Sequence, residues 1–244
     1  MSYIIRKSSQ SSFLKISSDH SEYGICSKQL PSRIVAWSTY TLQVYEAAAC
    51  LAKYLDSDHF QATHLGLPTG HVVTDERRQP MCGRRVVELG AGTGVVGVMA
   101  SYLGASVIVT DLDSLVPLLD HNITKNNHLL RAGAITAKAY CWGSEPDEDL
   151  LHPDFLVLAN CVYYESSLET LLDTVLTLTS GGRSNTVILA CYEERTKEIS
   201  ALVCRWHSML SEYFIIYDVQ RDLLDAKYLQ DYIRIVRMLS RLSS

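Results

Sequence analysis

Val86-Val87-Glu88-Leu89-Gly90-Ala91-Gly92-Thr93-Gly94-Val95-Val96-Gly97 is a hydrophobic run that breaks into closely spaced glycines and then resumes with apolar periodicity. It reads as strand, tight turn, helix. Glycines suit such a turn, which needs positive φ at some positions and lets a ligand approach the main chain closely. The helix that follows aims its free N–H groups and the positive end of its dipole at that ligand. A second buried-looking strand over 105–110 ends at Asp111, about 20 residues beyond the first glycine, where an acid can grip ribose hydroxyls. Together these describe a nucleotide or nucleoside cofactor site.

Working outward, strands over 84–89, 106–110, 134–140, 155–159 and 186–192 alternate with helices over 95–103, 114–126 and 166–178. Such alternation implies a mainly parallel sheet covered on both faces, with ligands at the carboxyl ends of its strands. The last quarter breaks the rhythm. A helix over 193–210 precedes strands over 213–219 and 232–238 with no clear helix between them, which predicts an antiparallel hairpin at one sheet edge. On the amino-terminal side, Leu42, Tyr45, Ala49 and Ala52 recur at helical spacing and predict a helix over 40–55 that closes over the glycine turn. Two short apolar runs, 3–5 and 13–16, fit a β-hairpin. The single domain, 1–244, therefore comprises hairpin and lid helix (1–55), a long surface loop or flap (56–83), and a core (84–244).

Apolar residues make up 47% of the chain and charged ones 20%, as in ordinary soluble domains. A formal net charge of -5 argues against a nucleic-acid surface. The seven cysteines are scattered singly without a C-x-x-C pair, the pattern of reduced, buried thiols in a cytosolic or nuclear protein. No apolar stretch approaches membrane-spanning length, so no membrane partner is expected. The histidines show no ligand spacing, which predicts no metal, and the absence of a G-x-S-x-G elbow disfavours a serine hydrolase.

Gly92-x-Gly94-x-x-Gly97 also satisfies the dinucleotide fingerprint, so a nicotinamide-dependent oxidoreductase has to be weighed. Two features oppose it. A helix and a long segment precede the first core strand, and Glu88 beside the turn would repel a pyrophosphate. The same acid would attract a cationic ligand, and S-adenosylmethionine carries a sulfonium and an ammonium group.

Glu88-Leu89-Gly90-Ala91-Gly92-Thr93-Gly94, Thr110-Asp111-Leu112, Trp142-Gly143, Asn160-Cys161-Val162-Tyr163-Tyr164 and Cys191-Tyr192-Glu193-Glu194-Arg195-Thr196 resemble, in order and spacing, the seven-strand S-adenosylmethionine-dependent methyltransferases. Within these the chain is similar to the small protein-lysine methyltransferases that modify chaperones, AAA ATPases and translation factors. The stretches at Tyr163-Tyr164-Glu165 and Cys191-Tyr192-Glu193 carry the likeness to an AAA ATPase-directed member. The resemblance implies an α/β, seven-strand Rossmann-like methyltransferase fold, with an antiparallel carboxyl-terminal edge hairpin and an amino-terminal β-hairpin extension. It implies that Gly90, Gly92 and Gly94 wrap the amino acid end of the cofactor, with Glu88 just below. Asp111 would hold the ribose, with Leu112 and Trp142 beside the adenine. An aromatic from the lid helix would complete the cofactor site; Tyr45 aligns without gaps, and Trp37 is the alternative.

The expected chemistry is methyl transfer to a lysine of a protein substrate, a chaperone or AAA ATPase, by a monomer. Asn160 stands where the family has an acid. Asn160, which also touches the cofactor site, and Tyr163 are the expected orienting pair for the amine, and Glu193 is the remaining acid able to attract it. Tyr164, Glu165 and Arg195 are candidates for the substrate groove. The alternative from another class is a methyltransferase-like binding protein that has lost catalysis.

Overall fold

The computed structural model describes residues 4–7, 14–17, 45–66, 79–130, 134–183, 185–228 and 230–241. Strands β1 (Ile4–Lys7) and β2 (Leu14–Ser17) form the expected antiparallel hairpin, with Ile4 opposite Ser17 and Lys7 opposite Leu14.

Helix α1 spans Glu46–Leu55, and its alanine-rich face is buried from Ala47 through Leu55 apart from Ala48 and Lys53. The segment expected as a loop over 56–83 begins with a further helix, α2 (Asp58–Leu65). Local caps make it: Ser57 accepts the Phe60 N–H at 3.1 Å, and Gly66 closes it in the left-handed conformation. Its anchor is a single fully buried ring, Phe60, whose centroid lies 5.7 Å from that of Phe155 and 5.6 Å from that of Tyr54. One aromatic leaves no apolar period in the sequence, so the helix shows only in the tertiary packing. The more polar part of that segment, 75–78, lies outside the described residues.

The core then runs β3 (Arg85–Leu89), α3 (Val95–Tyr102), β4 (Ser106–Asp111), α4 (Val116–Asn126), β5 (Ile135–Ala139), β6 (Phe155–Ala159), α5 (Leu168–Leu178), β7 (Val187–Glu193), α6 (Lys197–Leu210), β8 (Phe214–Asp218) and β9 (Ile233–Ser240). These nine-residue-or-shorter strands form a seven-stranded sheet in the order β5-β4-β3-β6-β7-β9-β8. β3 to β7 are parallel, and β9 enters antiparallel between β7 and the edge strand β8. This is the expected mixed α/β sheet with its antiparallel carboxyl-terminal hairpin. Helix α6 starts at Lys197, not 193, because β7 runs on to Glu193, which pairs with Ile233. Thr196 then caps α6 by accepting the Ile199 N–H.

Alternating strand residues feed two cores. Val86, Val107 and Leu189 pack with α1 and α3 on one face; Val87, Leu156 and Ile188 pack with α5 and α6 on the other. Burial of this kind is the main stabilising term, about 25 cal/mol for each Å² of apolar surface removed from water. Of the described cysteines, Cys50, Cys161 and Cys191 are buried as expected, whereas Cys82, Cys141 and Cys204 are exposed. Among the described residues no helix is long and apolar enough to cross a membrane, and no cluster of three or more metal-ligating side chains occurs.

Candidate active site

Where β3 is flanked by β4 on one side and β6 on the other, chain connections leave in opposite directions and open a crevice at the strands' carboxyl ends. A cavity of about 680 Å³ fills it. Its floor is the glycine turn, its sides are Asp111, Leu112 and Trp142, and its mouth carries Tyr45, Asn160, Tyr163 and Tyr164.

The turn is held by hydrogen bonds that converge from three elements. The Ala91 N–H donates to Thr110 O at 2.9 Å, and Gly94 N–H donates to Ala91 O at 2.8 Å. From α4, buried Asn122 donates its Nδ2 to Thr93 O at 2.9 Å. Gly90 has φ +58°, and a Cβ there would lie 3.1 Å from the Trp142 ring and 3.2 Å from Cys161 Sγ. Gly92, with φ +56°, faces open space, so its lack of a side chain keeps the cavity floor clear. Gly97 answers to packing alone: a Cβ would sit 2.2 Å from Val109 Cγ1, so only glycine lets α3 lie this close to the sheet.

Asp111 splits its carboxylate, Oδ2 accepting the Gly92 N–H at 2.7 Å and Oδ1 the Leu112 N–H at 2.8 Å. Burial raises its pKa while the two N–H donors pull it down. Each oxygen keeps a lone pair for a hydroxyl partner. Leu112 is 50% exposed, an unusual exposure for leucine that supplies an apolar wall beside the acid. Trp142 is steadied from α5, where Thr174 Oγ1 accepts the Gly143 N–H at 2.9 Å.

At the other end of the cavity Asn160 adopts φ +60°, a left-handed conformation that Asn and Asp tolerate better than other side-chain-bearing residues. Its N–H donates to Cys191 O at 2.8 Å and its Oδ1 accepts the Glu193 N–H at 3.3 Å, so it ties the end of β6 to the end of β7. Tyr163 and Tyr164 meet edge to face, with centroids 4.8 Å apart, and are 49% and 56% exposed. Burial of its inner part pushes the Tyr163 phenol up to about 12, so it stays protonated at neutral pH.

Two acids stand outside the cavity lining. Glu88 is 1% exposed and does not line the cavity. Its Oε2 accepts the Gly97 N–H at 2.7 Å, and burial first, then nearby Asp111, pushes its pKa to about 8 against the pull of that bond. Glu88 lies below the glycines, where the resemblance puts it, but a carboxyl whose pKa is raised this way attracts a cationic ligand less than a free carboxylate would. Its role is to tie β3 to the first turns of α3. Glu193 is likewise buried away from the cavity, accepting the Ala47 N–H of α1 at 2.9 Å and pairing with Arg195 at 3.0 Å. It lies outside the cavity lining, between α1 and Arg195, so it does not face an incoming amine there.

The remaining expected residues divide. Gly90, Gly92, Asp111, Leu112, Trp142, Tyr45, Asn160, Tyr163 and Tyr164 meet at one cavity. Gly94 caps α3 behind it, Glu165 pairs with Arg205, and Arg195 is taken up by Glu46 and Glu193. Trp37 lies outside the described residues. Cys161, whose thiol donates to Leu89 O at 3.1 Å beneath Gly90, and Thr170 at the start of α5 also line the cavity. Neither gave a signal, since a buried thiol and a helical threonine look the same in any apolar segment.

The protein N-lysine methyltransferase METTL21A of Danio rerio is 34% identical over 58% of this chain and 64% of its own length. Its namesake in Xenopus tropicalis is 29% identical over 73% and 71%. The chain thus spans just under two thirds of the first of these relatives. A solved magnesium protoporphyrin IX methyltransferase of Synechocystis, bound to SAH, superposes with a TM-score of 0.52 at 12% identity, covering 86% of this chain and 95% of that one. That superposition shows a shared fold. The sequence pattern of the family described as lysine methyltransferase matches residues 36–207, which include the cavity, and the chain belongs to that family.

Proposed function

We propose that this protein transfers a methyl group from S-adenosylmethionine to a lysine side chain of a protein. The observation that carries the reading is one cavity lined by the glycine turn and Asp111 and also by an amide and two half-exposed tyrosines. A nucleoside cofactor fits the part at the ends of β3 and β4: Gly90 and Gly92 give main-chain access, Asp111 offers acceptors to ribose hydroxyls, and Leu112 and Trp142 offer apolar surface to a base. When bound, the cofactor supplies an electrophilic methyl group and its own neutral leaving group.

The chain's own residues then have to orient a neutral amine and exclude water. Asn160 Oδ1 uses one lone pair on Glu193 N–H, and its second is available to a lysine N–H. Protonated Tyr163 can accept from the amine without acting as a base. Packing against the exposed surfaces of Tyr163 and Tyr164 would partly desolvate the ammonium ion and favour loss of its proton to solvent.

The likeness of the Tyr163-Tyr164-Glu165 and Cys191-Tyr192-Glu193 stretches to the valosin-containing protein lysine methyltransferase supports an AAA ATPase as substrate, with a chaperone as the other choice. Cytosol or nucleus suits its cysteine pattern. One observation favours the non-catalytic reading: among the described residues no carboxylate lines the cavity beside Asn160, Tyr163 and Tyr164. Isothermal calorimetry with S-adenosylhomocysteine, followed by radiolabelled methyl transfer into a proteome and mass spectrometry, separates the two. Binding with lysine labelling is expected, and Asp111→Ala should weaken binding at least about tenfold, the worth of a charged hydrogen bond. Binding with no labelled protein would establish the non-catalytic reading.

A further inference from the structure

The withdrawal of Glu193 from the cavity leaves its burial to be explained. Helix α1 starts without a local cap. Tyr45, at the N-cap, makes no side-chain hydrogen bond to the first turn. The missing acceptor arrives from a residue 146 positions away, Glu193 Oε1 taking the Ala47 N–H at 2.9 Å. A carboxylate at a helix amino terminus is favoured by both the unsatisfied N–H and the dipole. Its other oxygen meets Arg195 at 3.0 Å, and Arg195 reaches Glu46 at 3.5 Å. Arg195 also lies over the Tyr232 ring, 5.0 Å from its centroid, and the Tyr232 hydroxyl donates to Glu46. On its inner side, Glu193 donates its N–H to Asn160 Oδ1 at 3.3 Å.

We propose that Glu193 is a positioning residue, a latch between Asn160 and the first turn of α1 that holds Tyr45 at the mouth of the cavity. Both ends of the latch line the cavity, Asn160 on one side and Tyr45 and Ala48 on the other, while the latch itself does not. The rest of α1 is anchored independently by Cys50, Leu51, Tyr54 and Leu55, each buried in the core. Releasing the latch therefore removes one tie of the first turn, leaving the burial of Ala47 and the Glu46 contacts to Arg195 and Tyr232, and the helix stays in place. Because the hydrogen bonds run from β7 to both walls, the latch also couples the position of the lid residue to that of the amide.

The proposal rests on the cofactor reading above, so its test begins with S-adenosylhomocysteine binding to the unaltered chain. Failure to bind would overturn that reading and the latch with it. Given binding, Glu193→Ala is expected to weaken affinity about fivefold, the equivalent of one lost cap. Glu193→Gln keeps an acceptor for Ala47 N–H and should stay within about twofold of the parent. A general loss of structure would lower affinity whatever occupies position 45, so the deciding measurement is a double-mutant cycle with Tyr45→Ala. In that background Glu193→Ala should change affinity by less than about 1.5-fold, because its effect passes through Tyr45. Equal effects of Glu193→Ala with and without Tyr45 would overturn the latch, as would parental affinity in a folded Glu193→Ala protein. If Glu193→Ala does not fold, Arg195→Ala replaces it in the same cycle, with the same criterion.

Discussion

The two ends of the cavity are built by opposite means. At the ends of β3 and β4 the ligand-facing surface is largely main chain, and its acids serve that main chain: Glu88 holds Gly97 N–H and Asp111 holds Gly92 N–H. At the ends of β6 and β7 the surface is side chain, and its polar groups hold one another across 33 residues, Asn160 to Glu193. A backbone-built site is specified by where side chains are absent, and a side-chain-built site by which ones meet. In the first kind an added methyl meets a packed neighbour, as at Gly90 and Gly97, or a left-handed backbone, as at Gly92; the second kind is open to substitution.

The sharpest way to break the backbone-built end is Gly97→Ala. Its methyl would meet Val109 Cγ1 at 2.2 Å and Glu88 Oε2 at 2.8 Å. Overpacking at such a site costs about 3 kcal/mol, a large share of a domain's stability. Chemical denaturation should show that loss. Val109→Ala in the same chain removes the blocking methyl and should recover part of it; no recovery would place the cause elsewhere.

A second break at the same end, one graded by pH, comes from Glu88. Burial raises its folded pKa to about 8 from an ordinary 4.5, so the folded state holds a proton that the unfolded chain releases. The stability this contributes is complete below pH 4.5 and is lost as pH rises through about 8. The loss is up to about 1.4 kcal/mol per pH unit within that window. Glu88→Gln keeps an acceptor for Gly97 N–H and does not titrate. Melting temperatures of variant and parent should therefore lie close at pH 5 and diverge toward pH 8, with the variant higher. Parallel curves would show that Glu88 does not titrate in that window.

What the sequence disclosed follows the same division. The glycines, Asp111 and the alternating strands each carry a local pattern of residue type and period, and the turn and its acid are joined across only 19 residues, so spacing places them. Only resemblance points Trp142 to the cavity, whereas helical spacing puts Tyr45 on a helix over the turn without saying which side chain faces the ligand. The place of Glu193 differs from the expected one because an acid's charge is visible in a sequence and its hydrogen-bond partners are not. The Ala47 N–H that takes up Glu193 is 146 residues away, and the fold alone joins them. Helix α2 was missed for a related reason, since Phe60 gains its meaning from Phe155 across the core.

At the side-chain-built end the informative position is Asn160, which the structure loads with two tasks. Its φ of +60° closes the turn after β6, and its amide faces both Glu193 and the cavity. Asn160→Ala removes both, so it should lower melting temperature by the cost of a left-handed alanine, about 1–2 kcal/mol, and turnover by about tenfold. Asn160→Gly separates the tasks: glycine accepts the conformation, so stability should return toward the parent while turnover stays low. Asn160→Asp puts an acid there in a backbone conformation that suits it equally. It adds a charge-assisted acceptor for the amine and should turn over at least as fast as the parent. Parental turnover in Asn160→Gly would show that the amide serves the turn alone, and the orientation of the amine would then fall to Tyr163.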